Sequence, residues 1–204
     1  MIKFGTIGAS IFALLVTASM ALAQQPQTAR VRGTIESVDG QVLNVKGRDG
    51  APVTVKLADG APVRTVVRRS LADIKVNTFV GITAMPQPDG SQKAVEIHIF
   101  PEALRGTGEG HRPWDLMPDS TMTNANVDSV VSSVDGQELV LKYKDGEKKF
   151  IVPANAEVVM FAPASMADLK PGEKVFVAAA KKLPDGTLEA PNITVSRDGV
   201  NPPM

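Results

Sequence analysis

Ser37-Val38-Asp39-Gly40-Gln41 recurs 96 residues later as Ser133-Val134-Asp135-Gly136-Gln137, and this repetition decides how the rest of the chain is read. Working outward, Asp49-Gly50 returns as Asp145-Gly146 and Pro88-Asp89-Gly90 as Pro184-Asp185-Gly186, both again at an offset of 96. Ala72-Asp73-Ile74-Lys75 returns as Ala167-Asp168-Leu169-Lys170 at an offset of 95. Landmarks kept in one order at nearly one spacing mark a duplicated unit. It runs over residues 30–100 and again over residues 127–197.

Each unit reads as β-structure. In the first, Val31 to Ile35 alternates, and Asp39-Gly40 then makes a tight turn, because glycine tolerates φ > 0. Leu43 and Val45 continue beyond it. Val53, Val55 and Leu57 alternate with Thr54 and Lys56 after the Asp49-Gly50 turn. A short extended piece follows at 63–67, and Ser70-Leu71-Ala72-Asp73 predicts a capped single helical turn. Val80, Ile82 and Ala84 form the next strand. Pro88-Asp89-Gly90 turns into Val95, Ile97 and Ile99, which share one face by alternation. Glu96 and His98 fall on the other face, read as solvated. The second unit follows the same script. Three strands, a helical turn and two more strands fit a small Greek-key barrel of the OB type. The expected fold is therefore all-β: two tandem OB-like barrels, each with one short helical turn. Closure hides the strand edges. The alternative is a β-sandwich made from both repeats.

Residues 1–23 predict a signal peptide. Lys3 supplies the positive end, Ile7 to Val16 the apolar core, and Ala21-Leu22-Ala23 the small-x-small pattern that directs cleavage after Ala23. The competing reading is an uncleaved membrane anchor. With cleavage, the mature form starts near Gln24, spans no membrane and is expected in a bacterial periplasm. Residues 24–29 form a polar tail. At the other end, 198–204 read as a frayed tail.

The phrases Ser70-Leu71-Ala72-Asp73-Ile74-Lys75, Phe79-Val80-Gly81, Pro88-Asp89-Gly90 and Val95-Glu96-Ile97 resemble a bacterial family of exported OB-like domains of unknown function, often found in tandem. Met166-Ala167-Asp168-Leu169-Lys170-Pro171-Gly172-Glu173-Lys174-Val175 carries the same likeness in the second unit. These are turn and packing signatures. The resemblance implies a periplasmic, non-enzymatic binding or accessory role, and it offers no catalytic residues to carry over.

Composition narrows the chemistry. The chain holds 22 basic and 22 acidic side chains, no Cys and 2 His. Without Cys there are no thiol nucleophiles, disulfides, thiolate zinc sites or iron–sulfur clusters. Balanced charge argues against nucleic acid as a partner, and an aromatic content of 4% is thin for a base-stacking platform. The balance conceals a gradient. Residues 30–100 carry 10 basic and 7 acidic groups, residues 101–126 carry 2 and 4, and residues 127–197 carry 9 and 10. Arg64, Arg68 and Arg69 form a basic patch in the first unit, a match for an acidic partner or simply a solvated face. Neither G-x-S-x-G nor H-E-x-x-H occurs, and nothing in the sequence points to an enzyme.

Residues 101–126, PEALRGTGEGHRPWDLMPDSTMTNAN, are long for a connection and hold the single Trp and one of the two His. Three readings compete: a structured strap packed on the barrels through Trp114 and Leu116, a soft-metal site, and a partner-docking loop. The metal reading takes His111, Met117 and Met122, because imidazole and thioether suit Cu(I) or Ag(I). No other cofactor is expected. The docking reading takes Trp114 as anchor with His111, Arg112, Asp115 and Leu116 around it, for a periplasmic protein or a small ligand. Gly106-Thr107-Gly108-Glu109-Gly110 precedes no helical pattern and reads as a flexible joint. The oligomeric state is left open.

Overall fold

The structure, a computed structural model, describes residues 28–133 and 136–202. The expected leader at 1–23, most of the expected polar tail after it, and Val134-Asp135 of the repeated turn lie outside the described residues.

The fold is all-β. Its strands are β1 (Thr28–Asp39), β2 (Val42–Gly47), β3 (Pro52–Leu57), β4 (Val63–Arg69), β5 (Phe79–Pro86), β6 (Gln92–Ile99) and β7 (Gly110–Pro113). They continue with β8 (Thr121–Ser133), β9 (Gly136–Tyr143), β10 (Gly146–Pro153), β11 (Glu157–Pro163), β12 (Lys174–Lys182), β13 (Leu188–Ala190) and β14 (Ile193–Val195). Both expected helical turns are present as single 3-10 turns, Leu71–Asp73 and Met166–Asp168. They start the same way. The Ser70 N–H donates to Asp73 at 2.8 Å, and the Ser165 N–H donates to Asp168 at 2.8 Å, so a carboxylate satisfies an otherwise orphaned donor. Among the described residues, no helix is long and apolar enough to cross a membrane.

Strand pairing closes two five-strand barrels. One runs β1-β2-β3-β13-β12 and back to β1. The other runs β8-β9-β10-β6-β5 and back to β8. Within each barrel one pairing is parallel, β3 with β13 and β10 with β6, and the rest are antiparallel. The expectation that each repeat closes its own barrel therefore fails. Each barrel takes three strands from one repeat and its last two from the other. The cores follow suit: Leu43 and Val55 pack with Val175 and Ile193 in the first, and Ile82 and Ile97 pack with Leu139 and Phe150 in the second. The physical reason lies in β4 and β11. Each leaves its barrel as an extended strand instead of turning back, and the two pair antiparallel over Arg64–Arg69 and Val158–Pro163. That crossing delivers each following hairpin to the opposite barrel. Exchange preserves every barrel contact, so the hydrophobic pattern is the same with or without it.

Two local expectations also change. The register of β5 on β6 shifts between Thr83 and Ala84, where Thr83 faces Glu96 and Ala84 faces Ala94. This bulge reverses the alternation. Ala94 joins Ile97 and Ile99 in the core and Val95 is exposed, while His98 keeps to the face opposite Ile97 and Ile99, as alternation predicts, but is buried there. The start of the frayed tail is instead tied down. Arg197 and Val200 exchange backbone hydrogen bonds of 3.1 and 2.9 Å, and Val200 is buried against Val66 and Val159.

Candidate functional site

β14-β4-β11-β6 form a four-strand bridge between the barrels. It has a pseudo-twofold axis at the pair Val66–Phe161, which are equivalent positions of the two repeats. Around it, Ile193 beside Val63 mirrors Ile97 beside Val158, and Thr194 beside Arg64 mirrors His98 beside Val159. Alternation puts Arg64, Val66, Phe161, His98 and Thr194 on one face of this bridge. Over that face lies a cleft of about 290 Å³. Phe176 and Ala178 of β12 wall it from one barrel, Met122 and Asn124 of β8 from the other, and Leu104 to Trp114 of the connector close its side.

The connector is ordered. β7 pairs with β8, and Trp114 fixes the far end. The indole stacks under the Arg30 guanidinium at 4.0 Å, with Arg32 at 5.4 Å and Arg112 at 5.5 Å, and meets Phe176 edge-on at 6.3 Å. Asp115 pairs with Arg32 through two contacts of 2.8 Å and with Arg30 at 3.3 Å. Leu116 is half-buried, and its carbonyl accepts from Arg48 at 3.4 Å. The glycine-rich stretch expected to be a loose joint forms part of the wall. The Thr107 carbonyl accepts from Asn124 Nδ2 at 2.9 Å, and the Gly108 carbonyl accepts from Arg112 at 2.7 Å.

His98, expected on a solvated face, sits at the floor of the cleft with 5% of its surface exposed. Its ring contacts Phe100 at 4.8 Å and Phe161 at 5.2 Å. Burial, with the Arg112 charge adding to it, pushes its pKa down to about 3, so the imidazole is neutral at physiological pH. The ring lies across Gly81: a Cβ there would come within 2.0 Å of His98 Nε2 and 2.7 Å of Asn124 Oδ1. Only glycine leaves room for this histidine. Three residues of the lining each carry a buried polar atom with no hydrogen-bond partner among the described residues: His98 Nδ1, Asn124 Oδ1 and Trp114 Nε1.

The metal set does not converge. His111 faces Thr123, and Arg112 faces Met122, across the β7–β8 ladder, so His111 and Met122 point to opposite faces. His111 Nδ1 lies 2.7 Å from Thr123 Oγ1, and the ring stacks on Tyr143 at 6.5 Å. Met122 is buried in the cleft, while Met117 is 36% exposed. Among the described residues no group of three or more His, Asp or Glu could hold a metal ion. The basic patch divides too. Arg64 enters the cleft, Arg68 shares its face beyond the lining, and Arg69 projects from the opposite face of β4.

Of the expected docking set, Trp114 and Arg112 line the cleft, while Asp115 and Leu116 tether the strap and His111 turns away. Sequence reasoning missed His98, Asn124, Phe100, Phe161, Phe176 and Thr194. The repeats held a signal for some of them, because His98 stands where the second copy has Thr194 and Phe161 where the first has Val66. Comparison with protein-family models, curated proteins and solved structures gave no match for this chain.

Proposed function

We propose that this chain is an exported, non-enzymatic binding protein made of two OB-type barrels with exchanged terminal hairpins, and that it holds a small ligand in the cleft between them. The observation that carries this reading is the set of three partnerless polar atoms, on His98, Asn124 and Trp114, in the wall of one cavity of about 290 Å³. A buried polar group without a partner costs about 1–3 kcal/mol, and a wall whose residues carry three of them beside two guanidinium groups without an ion pair among the described residues fits a site kept for a ligand. The barrel order, with the third strand parallel to the last, is that of the OB type, and the leader at 1–23 supports export to a periplasm. Binding is favoured over catalysis because an imidazole with a pKa of about 3 is a poor base at neutral pH. A small ligand is favoured over a protein docked on Trp114, because the indole is held under Arg30 and against Phe176 in the wall of the cleft.

The test is a thermal-shift screen of the mature chain against small organic anions, cations and neutral compounds, run beside Ala178→Phe. Ala178 lies at the exposed rim of the cleft, so the larger side chain plugs the space without entering a core. Ligands are expected to raise the Tm of the parent chain and leave the plugged variant unmoved. A screen with no hits, or with hits that stabilise both chains equally, overturns the reading.

A further inference from the structure

We propose that the ligand is a small aromatic carboxylate, its acid group held by Arg64 and Arg112 and its ring lodged among Phe161, Phe176 and Trp114. This rests on the cleft being a binding site, as argued above, and adds what the site selects.

Charge comes first. The lining contains Arg64 and Arg112 and no Asp or Glu. Neither guanidinium has an ion pair among the described residues. Arg112 spends one N–H on the Gly108 carbonyl at 2.7 Å, and Arg64 spends none on a described side chain. The fork of donors on each matches a carboxylate. The contrast with Arg32 is informative. Arg32 sits close by over Phe176 at 4.9 Å, but Asp115 neutralises it through two contacts of 2.8 Å. The connector thus supplies an acid to the guanidinium outside the cleft and none to the two inside it.

The walls select the rest of the molecule. Phe100, Phe161, Phe176 and Trp114 all line this one cavity, in a chain with only 7 Phe, 1 Trp and 1 Tyr. Flat faces at this density suit a ring better than a flexible chain. Size sets a limit: an apolar cavity of about 150 Å³ accommodates benzene, so about 290 Å³ suits one or two fused rings with a short acid arm. Asn124 Oδ1 is a buried acceptor with no donor facing it. An uncharged His98 adds polarity without adding a third positive charge.

The experiment uses three ligands of one shape and different charge: indole-3-acetate, indole-3-acetamide and tryptamine. Each is titrated calorimetrically into the mature chain at neutral pH and low salt. The acid is expected to bind at least tenfold more tightly than the amide, with tryptamine weakest, and raising the salt should erode the preference. Arg64→Gln and Arg112→Gln should each cost the acid about tenfold and leave the amide unchanged, while Arg64→Lys keeps part of the preference and serves as a folding control. Equal binding of acid and amide, or tightest binding of tryptamine, overturns the anion assignment and leaves the cleft as a binding site. If none of the three binds while other compounds give shifts that Ala178→Phe removes, the aromatic-acid assignment falls and the binding reading survives.

Discussion

The two halves of the molecule share one architecture and treat the same position differently. In the first barrel, Arg32 of β1 faces Phe176 of β12; in the second, Asn124 of β8 faces Gly81 of β5 at the corresponding rung. The first rung is filled and neutralised, since the guanidinium lies over the phenyl ring and pairs with Asp115. The second is hollowed out. Gly81 gives up its side chain, His98 occupies the space, and Asn124 is left with a free acceptor. A duplicated fold can fill and neutralise a rung in one copy and empty it in the other by exchanging a few side chains, with both rungs bordering the same cleft.

The largest effects belong to the cores and test whether the halves are mechanically one. Phe150 faces Leu139 in the second barrel, where the first has Val55 facing Leu43. All four are fully buried. Phe150→Ala should cost about 4 kcal/mol and Val55→Ala about 2 kcal/mol, following the size of the void each leaves. Because each barrel is completed by the other repeat, both variants should shift one shared urea transition, followed by Trp114 emission and far-UV circular dichroism. Two separate transitions, one per barrel, would break the picture of exchanged hairpins.

Next comes the hollow itself. Gly81→Ala forces a Cβ against His98 and Asn124 and should cost about 2–3 kcal/mol, the usual scale of overpacking in a closed site. Adding His98→Ala removes the closer of the two obstacles and leaves only the terminal amide of Asn124 to shift, so the double variant should be more stable than Gly81→Ala alone. A double variant no better than the single would show that the glycine serves the backbone and not the histidine.

How far the sequence reveals this rung follows from what a strand pattern encodes. The Asp-Gly turns, the capped helical turns and the core positions Leu43, Val45, Leu139 and Leu141 are local, and they read directly. Exchange of the hairpins is not local: Ile97 meets Leu139 and Ile193 meets Leu43 with the same alternation that unexchanged barrels would show. His98 was misread because the face opposite Ile97 and Ile99 is covered by the connector and the neighbouring barrel instead of solvent, which no local pattern signals; the bulge at Thr83/Ala84 only moves Val95 out of the core and Ala94 into it. The connector was legible as a special segment through its Trp. Its cleft was not, because Arg64, Phe161 and Phe176 come from three distant strands.

The pH dependence of stability separates the halves further. His98 is neutral in the fold down to a pKa of about 3, against 6.5 when unperturbed. The unfolded chain therefore binds a proton that the folded chain does not as the pH falls from 6.5 towards 3. Stability from this group is complete above about pH 6.5 and is lost below it, by about 2 kcal/mol at pH 5 at 1.36 kcal/mol per pH unit. His98→Thr copies Thr194, the equivalent residue of the other half, and should abolish that acid sensitivity between pH 7 and 5 in urea titrations. An unchanged slope in the variant would show that other groups carry it.

The smallest effect is at the filled rung, where Asp115 holds the connector to Arg30 and Arg32. Burial alone would raise the Asp115 pKa, but the Arg32 hydrogen bond and the charges of Arg32 and Arg30 outweigh it and keep the carboxyl below its ordinary 3.8. A depressed carboxylate stabilises the fold above its unfolded pKa and loses that contribution as the pH falls through the folded value. The strap should thus be fully held at pH 5, where His98 already weighs against the fold, and loosen only below about pH 3.8. Asp115 is 48% exposed on its side chain while Arg32 is 5% exposed, so solvent screens the pair from one side. Asp115→Asn should then cost about 1 kcal/mol, well short of the about 3–5 kcal/mol lost when a fully buried pair is broken. Trp114 reports the change directly, because its ring lies against the Arg30 guanidinium at 4.0 Å. In the variant its emission at pH 5 should match that of the parent below pH 3.8. A variant whose emission matches that of the parent at pH 5 would mean that Phe176 and the arginines hold the indole without help from the carboxylate.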